Sequence, residues 1–235
     1  MVEKDAVRRG YDDLAATYDA QRDRAGHSVA ILEAFLDTLD DPDRVLDAGC
    51  GGGRPVLRRL AESTEAVGLD ISAEQVRLAR EHAPAAALLQ GDMTRLPFAA
   101  DSFDAVVAYW SLIHVPEADH QAVLDEFAKV LRPGGRALVC EAAEPWNGEN
   151  PDWLDAGVEM QWNMAGAEVT RDQLLAAGFE VENVWGAPTA LEWDRQEHAD
   201  GGDLELLDAG EADADDDEDE DESPWTFFAV RLPDA

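Results

Sequence analysis

The amino-acid sequence predicts an α/β fold: an open, doubly wound sheet, mostly parallel, with helices on both faces. Three observations point there. Short apolar runs alternate with amphipathic helical stretches along most of the 235 residues, the pattern of repeated βαβ units. Phe103 to Trp110 is a nearly continuous apolar run, as expected of a strand covered on both faces. Arg44 to Val56 reads Arg-Val-Leu-Asp-Ala-Gly-Cys-Gly-Gly-Gly-Arg-Pro-Val, a strand, a tight turn and a helix start. In such sheets ligands bind beyond the carboxyl ends of the strands.

The elements follow in order. Residues 4 to 23 predict a helix with Tyr11, Leu14 and Tyr18 on one face and Asp12, Asp13 and Asp19 on another. A second runs from about Val29 to Leu39, with Ser28 as its cap. Residues 1 to 40 therefore read as N-terminal cap helices, and residues 41 to 235 as the main domain. After the glycine turn a short helix spans Arg54 to Ala61, and Ala66 to Asp70 forms the second strand. Ser72 and Gln75 make a capping box for the next helix, which leaves Asp70 for a ligand. The third strand, Ala87 to Gln90, ends at Gly91-Asp92-Met93.

Beyond the fourth strand, residues 117 to 131 form a helix stopped by Arg132-Pro133-Gly134-Gly135, and Arg136 to Glu141 is the fifth strand. Residues 145 to 166 break the rhythm with Trp146, Trp153, Met160, Trp162 and Met164, a composition found more often in cores than in pockets. Thr170 to Gln173 is a capping box, its helix ends at Gly178, and Phe179 to Trp185 is the sixth strand. Trp225 to Leu232 reads as a last strand. Residues 188 to 224, including the acidic run Glu211 to Glu222, are expected to be a long, largely disordered insertion.

Composition narrows the function. A formal charge of -34, from 52 acidic and 18 basic residues, opposes binding to nucleic acid or to anionic membranes. Acid spread over helix faces suggests a surface adapted to high salt, as in halophilic organisms, where screening relieves self-repulsion. The polar start and the absence of a run of about 20 apolar residues suggest a soluble, cytoplasmic protein. Cys50 and Cys140 sit in predicted buried elements, with no metal-ligand spacing. Oligomeric state is not legible.

The glycine turn could hold a ribose-bearing cofactor. Glycines let a ligand approach the backbone, and the helix behind them presents unpaired N–H groups. Asp70, at a strand end about twenty residues beyond, can accept bonds from a ribose diol. A dinucleotide fingerprint asks for Gly or Ala where Arg54 stands, and Asp47 puts negative charge where a pyrophosphate would lie.

The ordered segments resemble those of class I S-adenosylmethionine-dependent methyltransferases: Val45 to Gly53 their first motif, Val67 to Ser72 their ribose-binding strand, and Gln90 to Met93 with Leu96-Pro97-Phe98 their adenine-side segment. Phe103 to Val107 resembles their fourth strand and Leu131 to Gly135 the entry to their fifth. The pattern is most similar to the small-molecule group that includes the ubiquinone and menaquinone biosynthesis enzymes. The resemblance implies a Rossmann-like seven-stranded sheet with an antiparallel last strand, S-adenosyl-L-methionine as cofactor, and a small-molecule methyl acceptor. It places Asp47, Gly49 and Gly51 near the methionine part of the cofactor, Asp70 and Ile71 at ribose and adenine, and Asp92 and Met93 at the adenine edge. Tyr18 would approach the sulfonium side and is a catalytic candidate as well, and Cys50, Gln75 and Tyr109 complete the expected cofactor set. His114, just beyond the fourth strand, is the best-placed candidate for a base, with a structural histidine at a helix entrance as the other reading. A lid would come from the N-terminal helix and residues 145 to 166. Rival functions are an NAD-dependent oxidoreductase and a cofactor-binding module without catalysis.

Overall fold

Strand β1 (Arg44–Ala48) is buried from Val45 to Ala48, and its side chains alternate between two cores. Leu46 and Ala48 belong to one, Val45 to the other. The computed structural model describes residues 2–21, 27–186 and 225–234. Around β1 the described chain places helices α1 (Lys4–Gln21), α2 (His27–Leu36), α3 (Val56–Leu60), α4 (Ala73–His82), α5 (Glu117–Val130) and α6 (Ala167–Ala176). The other strands are β2 (Glu65–Asp70), β3 (Ala87–Gln90), β4 (Phe103–Ala108), β5 (Leu131–Ala142), β6 (Trp146–Asn150), β7 (Met160–Met164), β8 (Glu180–Trp185) and β9 (Trp225–Arg231).

Seven strands form one sheet in the order β3-β2-β1-β4-β5-β9-β8. The pairs from β3 through β5 are parallel, and β9 is antiparallel to both β5 and β8. This is the predicted doubly wound sheet with its reversed last strand. On one face β1, β4 and β5 pack with Val123, Leu124 and Phe127 of α5 and Leu174 of α6. On the other they pack with Ile31, Leu32 and Phe35 of α2, Leu57 of α3 and Ala79 of α4. Strand order reverses between β1 and β4, which opens a crevice at their carboxyl ends.

Some boundaries differ from expectation. Helix α2 begins at His27, ahead of the expected start, and ends at Leu36. Helix α3 is confined to Val56–Leu60, with Pro55 just ahead of it. The segment read as a helix stop, Arg132 to Gly135, is already part of β5, because Leu131 pairs with Phe103 as α5 ends and the register then shifts. The expected insertion over 188–224 lies outside the described residues.

Residues 145 to 166 form a hairpin, β6 and β7 making a separate two-stranded sheet. Its Met160 is fully buried in a third, smaller core with Val2, Val7 and Leu14, flanked by Tyr11, Trp153, Val158 and Trp162. Two chain segments about 140 residues apart thus share a cap. Gly10 permits it: a Cβ there would lie 2.9 Å from both the Glu159 carbonyl and the Met160 methyl. Trp146, by contrast, is exposed.

Candidate cofactor and acceptor site

The turn after β1 is held by backbone. Gly49 N–H and Cys50 N–H both donate to the Leu69 carbonyl, at 2.7 and 3.0 Å, which ties the turn to β2. Gly49 has φ +81, and a Cβ there would lie 2.2 Å from the Ser111 Cβ, so conformation and space both require glycine. Ser111 in turn donates to the Ala48 carbonyl at 2.7 Å.

Asp70 closes this arrangement. One carboxylate oxygen accepts the Gly51 N–H at 2.8 Å and the other the Ser72 N–H at 2.8 Å. The expectation that capping by Ser72 leaves Asp70 uncommitted is therefore corrected: Asp70 also braces the turn. A carboxylate offers about four lone-pair sites, so two such bonds leave it able to accept from a diol. Ser72 does cap α4, accepting from Gln75 N–H at 3.1 Å, but the Gln75 amide does not reciprocate. Ser72 Oγ instead donates to Asp12 of α1 at 2.7 Å.

A pocket of about 640 Å³, counting its open mouth, lies over these strand ends. The structure brings Tyr18, Gly49, Gly51, Asp70, Ile71, Asp92, Met93, Tyr109 and His114 to its wall. Asp47, Cys50 and Gln75 are not on it. Asp47 is buried within β1, Cys50 packs in the core, and Gln75 lies beneath Gly52 with both amide atoms lacking hydrogen-bond partners among the described residues. The wall also contains Lys4, Val7, Tyr11, Trp110 and Ser111, none of which the sequence singles out for the site. Trp110 has φ +47, strained for a bulky side chain.

The site is electronegative. Burial, then the charges of Asp47 and Asp70, push the Cys50 thiol well above its ordinary range. Burial, then Cys140 and Asp47, push the Tyr109 phenol up as well. Burial alone would raise the Asp92 carboxyl, but the Lys4 ammonium at 2.7 Å and the Thr94 N–H at 2.9 Å hold it below its usual value. Lys4 also contacts Thr94 Oγ1 at 3.1 Å and Asp119 at 3.5 Å.

Over the β4 side, the Tyr11 hydroxyl is 2.8 Å from His114 Nε2, and His114 Nδ1 is 3.0 Å from the Gln161 carbonyl in β7. Burial lowers the imidazole to about 4, only partly opposed by its bond to Gln161. The ring stays neutral near pH 7. With both nitrogens engaged it is a poorer base than its position suggests. Tyr11, on the apolar face of α1, connects that helix through His114 to β7 and the end of β4.

Residues 45–135 match a family model described as a methyltransferase domain. Among curated proteins, the demethylmenaquinone methyltransferase of Mycobacterium sp. (strain KMS) is 38% identical over 144 residues, covering 61% of this chain and 59% of that protein. The match thus spans less than two thirds of that relative's length. Among solved structures, a chain in the complex of the Haloferax volcanii Trm112 methyltransferase activator with a methyltransferase superposes with a TM-score of 0.68 at 23% identity, covering 97% of this chain and 98% of that one. The (4+2)-cyclase SpnF superposes with a TM-score of 0.66 at 19% identity, covering 97% and 96%. These likenesses establish a Rossmann-like fold shared with methyltransferases.

Proposed function

We propose that this chain is an S-adenosylmethionine-dependent methyltransferase acting on a small molecule. The observation that carries the reading is Asp70: an acid at the end of β2, bonded to the glycine turn of β1, on the wall of a pocket at the strand switch point. It lies within the stretch that matches a methyltransferase domain. The residues present fit the cofactor, since Gly49 and Gly51 leave the turn bare on the pocket wall and Asp70 presents a carboxylate beside them for a ribose diol.

Asp70 would hold the ribose hydroxyls, Ile71 would pack on adenine, and Asp92 with Met93 would meet the adenine edge. Gly49 and Gly51 would let the methionine part approach the backbone, and Tyr18 would face the methyl side. S-adenosylmethionine, when bound, supplies a methyl group already activated on sulfur. The protein's remaining work is alignment and exclusion of water. Helix α1 and the β6–β7 hairpin would serve as the lid.

The name of the curated relative makes a reduced demethylmenaquinone-type quinol the first acceptor to try. A shared fold does not fix the reaction, as the cyclase illustrates. An NAD-dependent reading is disfavoured by Arg54 and by the acidic pocket. The acidic surface supports a high-salt cytoplasm as the working environment. Mass spectrometry of S-adenosylhomocysteine formed with such a quinol in molar KCl tests the reading. The expected result is acceptor-dependent turnover; tight cofactor binding with no turnover across a broad acceptor screen would favour the non-catalytic module.

A further inference from the structure

The hydrogen bonds behind the pocket wall run in one direction, and a backbone carbonyl sets it. The Gln161 carbonyl can only accept, so His114 Nδ1, 3.0 Å away, carries the ring proton. In the neutral imidazole Nε2 then has none and must accept, so the Tyr11 hydroxyl at 2.8 Å is the donor. A phenol that has committed its one proton offers a ligand lone pairs only. The rings around Tyr11 limit its motion, with Tyr18, Trp153 and His114 edge-on at centroid distances of 5.4, 5.9 and 5.2 Å. The pocket also has a polarity in space. Asp92 follows β3, Asp70 ends β2 and the glycine turn follows β1, whereas Trp110, Ser111 and His114 follow β4, the side on which Tyr11 closes.

We propose that Tyr11 reads the methyl acceptor: its oxygen, oriented through His114 and Gln161, accepts a hydrogen bond from an O–H or N–H on or beside the attacking atom and so selects acceptors that carry such a proton, a quinol hydroxyl next to the attacking ring carbon included. His114 is then a positioning residue that fixes the direction of the Tyr11 hydroxyl. Acceptors with no such proton, such as thioethers or tertiary amines, are disfavoured because the Tyr11 oxygen would face a second lone pair. This rests on the methyl-transfer reading of the site.

Sinefungin tests it without knowledge of the acceptor, because it carries an ammonium where S-adenosylmethionine carries its methyl group. S-adenosylhomocysteine has no donor there. Calorimetry on the full chain in molar KCl should give a preference for sinefungin, and Tyr11→Phe should reduce that preference by about tenfold or more, as expected for a bond to a charged donor. S-adenosylhomocysteine affinity should be unchanged by Tyr11→Phe. His114→Gln, whose amide oxygen can still accept from Tyr11, should retain part of the preference. On the unsubstituted protein, nitrogen-15 NMR should show His114 protonated on Nδ1 and not on Nε2, and the Nε2 resonance should move in Tyr11→Phe. An unchanged sinefungin preference in Tyr11→Phe, or a proton on Nε2, overturns this inference and leaves the cofactor reading standing. If neither ligand binds the unsubstituted protein, both fall.

Discussion

Asp70 and Tyr11 line the same pocket, yet the bond from Gly51 to Asp70 spans 19 residues of chain and the one between Tyr11 and His114 spans 103. The floor of the site is made of neighbouring βα units whose backbone does the holding. The cap is made of two distant segments whose side chains do it, around a small core of Val2, Val7, Leu14 and Met160. The difference predicts where each region fails. A floor residue should affect the whole fold, and a cap residue should release the cap alone.

The largest effect is expected at Gly49. With φ +81 and a Cβ 2.2 Å from Ser111, Gly49→Ala combines backbone strain with overpacking. It should cost about 3 kcal/mol or more in denaturant unfolding at fixed KCl. Leu14→Ala, in the cap core, should cost about 2 kcal/mol or more locally. Hydrogen exchange should quicken in α1 and β7 while β4 and β5 keep their protection. Uniform loss of protection would show that cap and floor are one cooperative unit.

This contrast also accounts for what the sequence reveals. The glycine turn, the strand-end acid Asp70 and the apolar run of β4 have meanings set by local backbone, so the sheet is legible, and so is the turn that lines the pocket. The partner of Tyr11 is fixed only when α1 meets the end of β4, and nothing in an i, i+3, i+7 pattern distinguishes a packing tyrosine from a pocket tyrosine. Lys4 is hidden for the same reason, since its bond to Asp92 spans 88 residues. Asp47 and Gln75 are the reverse case: both stand beside motif residues, and both are buried and off the pocket wall. The hairpin was legible only as a break in rhythm, because its strands pair with each other and not with the main sheet.

Two buried groups sharpen the comparison through pH. His114, at the seam of floor and cap, has its imidazole lowered to about 4 from 6.5. Its contribution is present above pH 6.5 and is lost as pH falls toward 4, because the unfolded chain then binds the extra proton. Glu141, at the end of β5, is raised by burial from 4.5 to about 7, against bonds from the Ala142 and Ala165 N–H groups and Thr170. Its contribution is present below pH 4.5 and is lost as pH rises through 7. Each effect amounts to roughly 3 kcal/mol at most. Glu141→Gln should flatten the decline in stability toward pH 8, and His114→Gln the decline toward pH 4, in unfolding curves taken across that range. The smallest effect is expected at the part-exposed Lys4–Asp92 pair. Lys4→Met should cost under about 1 kcal/mol, and less as KCl is raised.

The central claim, that the floor holds S-adenosylmethionine, is tested most directly by calorimetry on the full chain in molar KCl with S-adenosylmethionine, S-adenosylhomocysteine and NAD. Saturable binding of the first two, abolished or strongly weakened by Asp70→Ala, with no binding of NAD, is the predicted result. Binding of NAD in place of the other two, or S-adenosylmethionine affinity indifferent to Asp70→Ala, would contradict it.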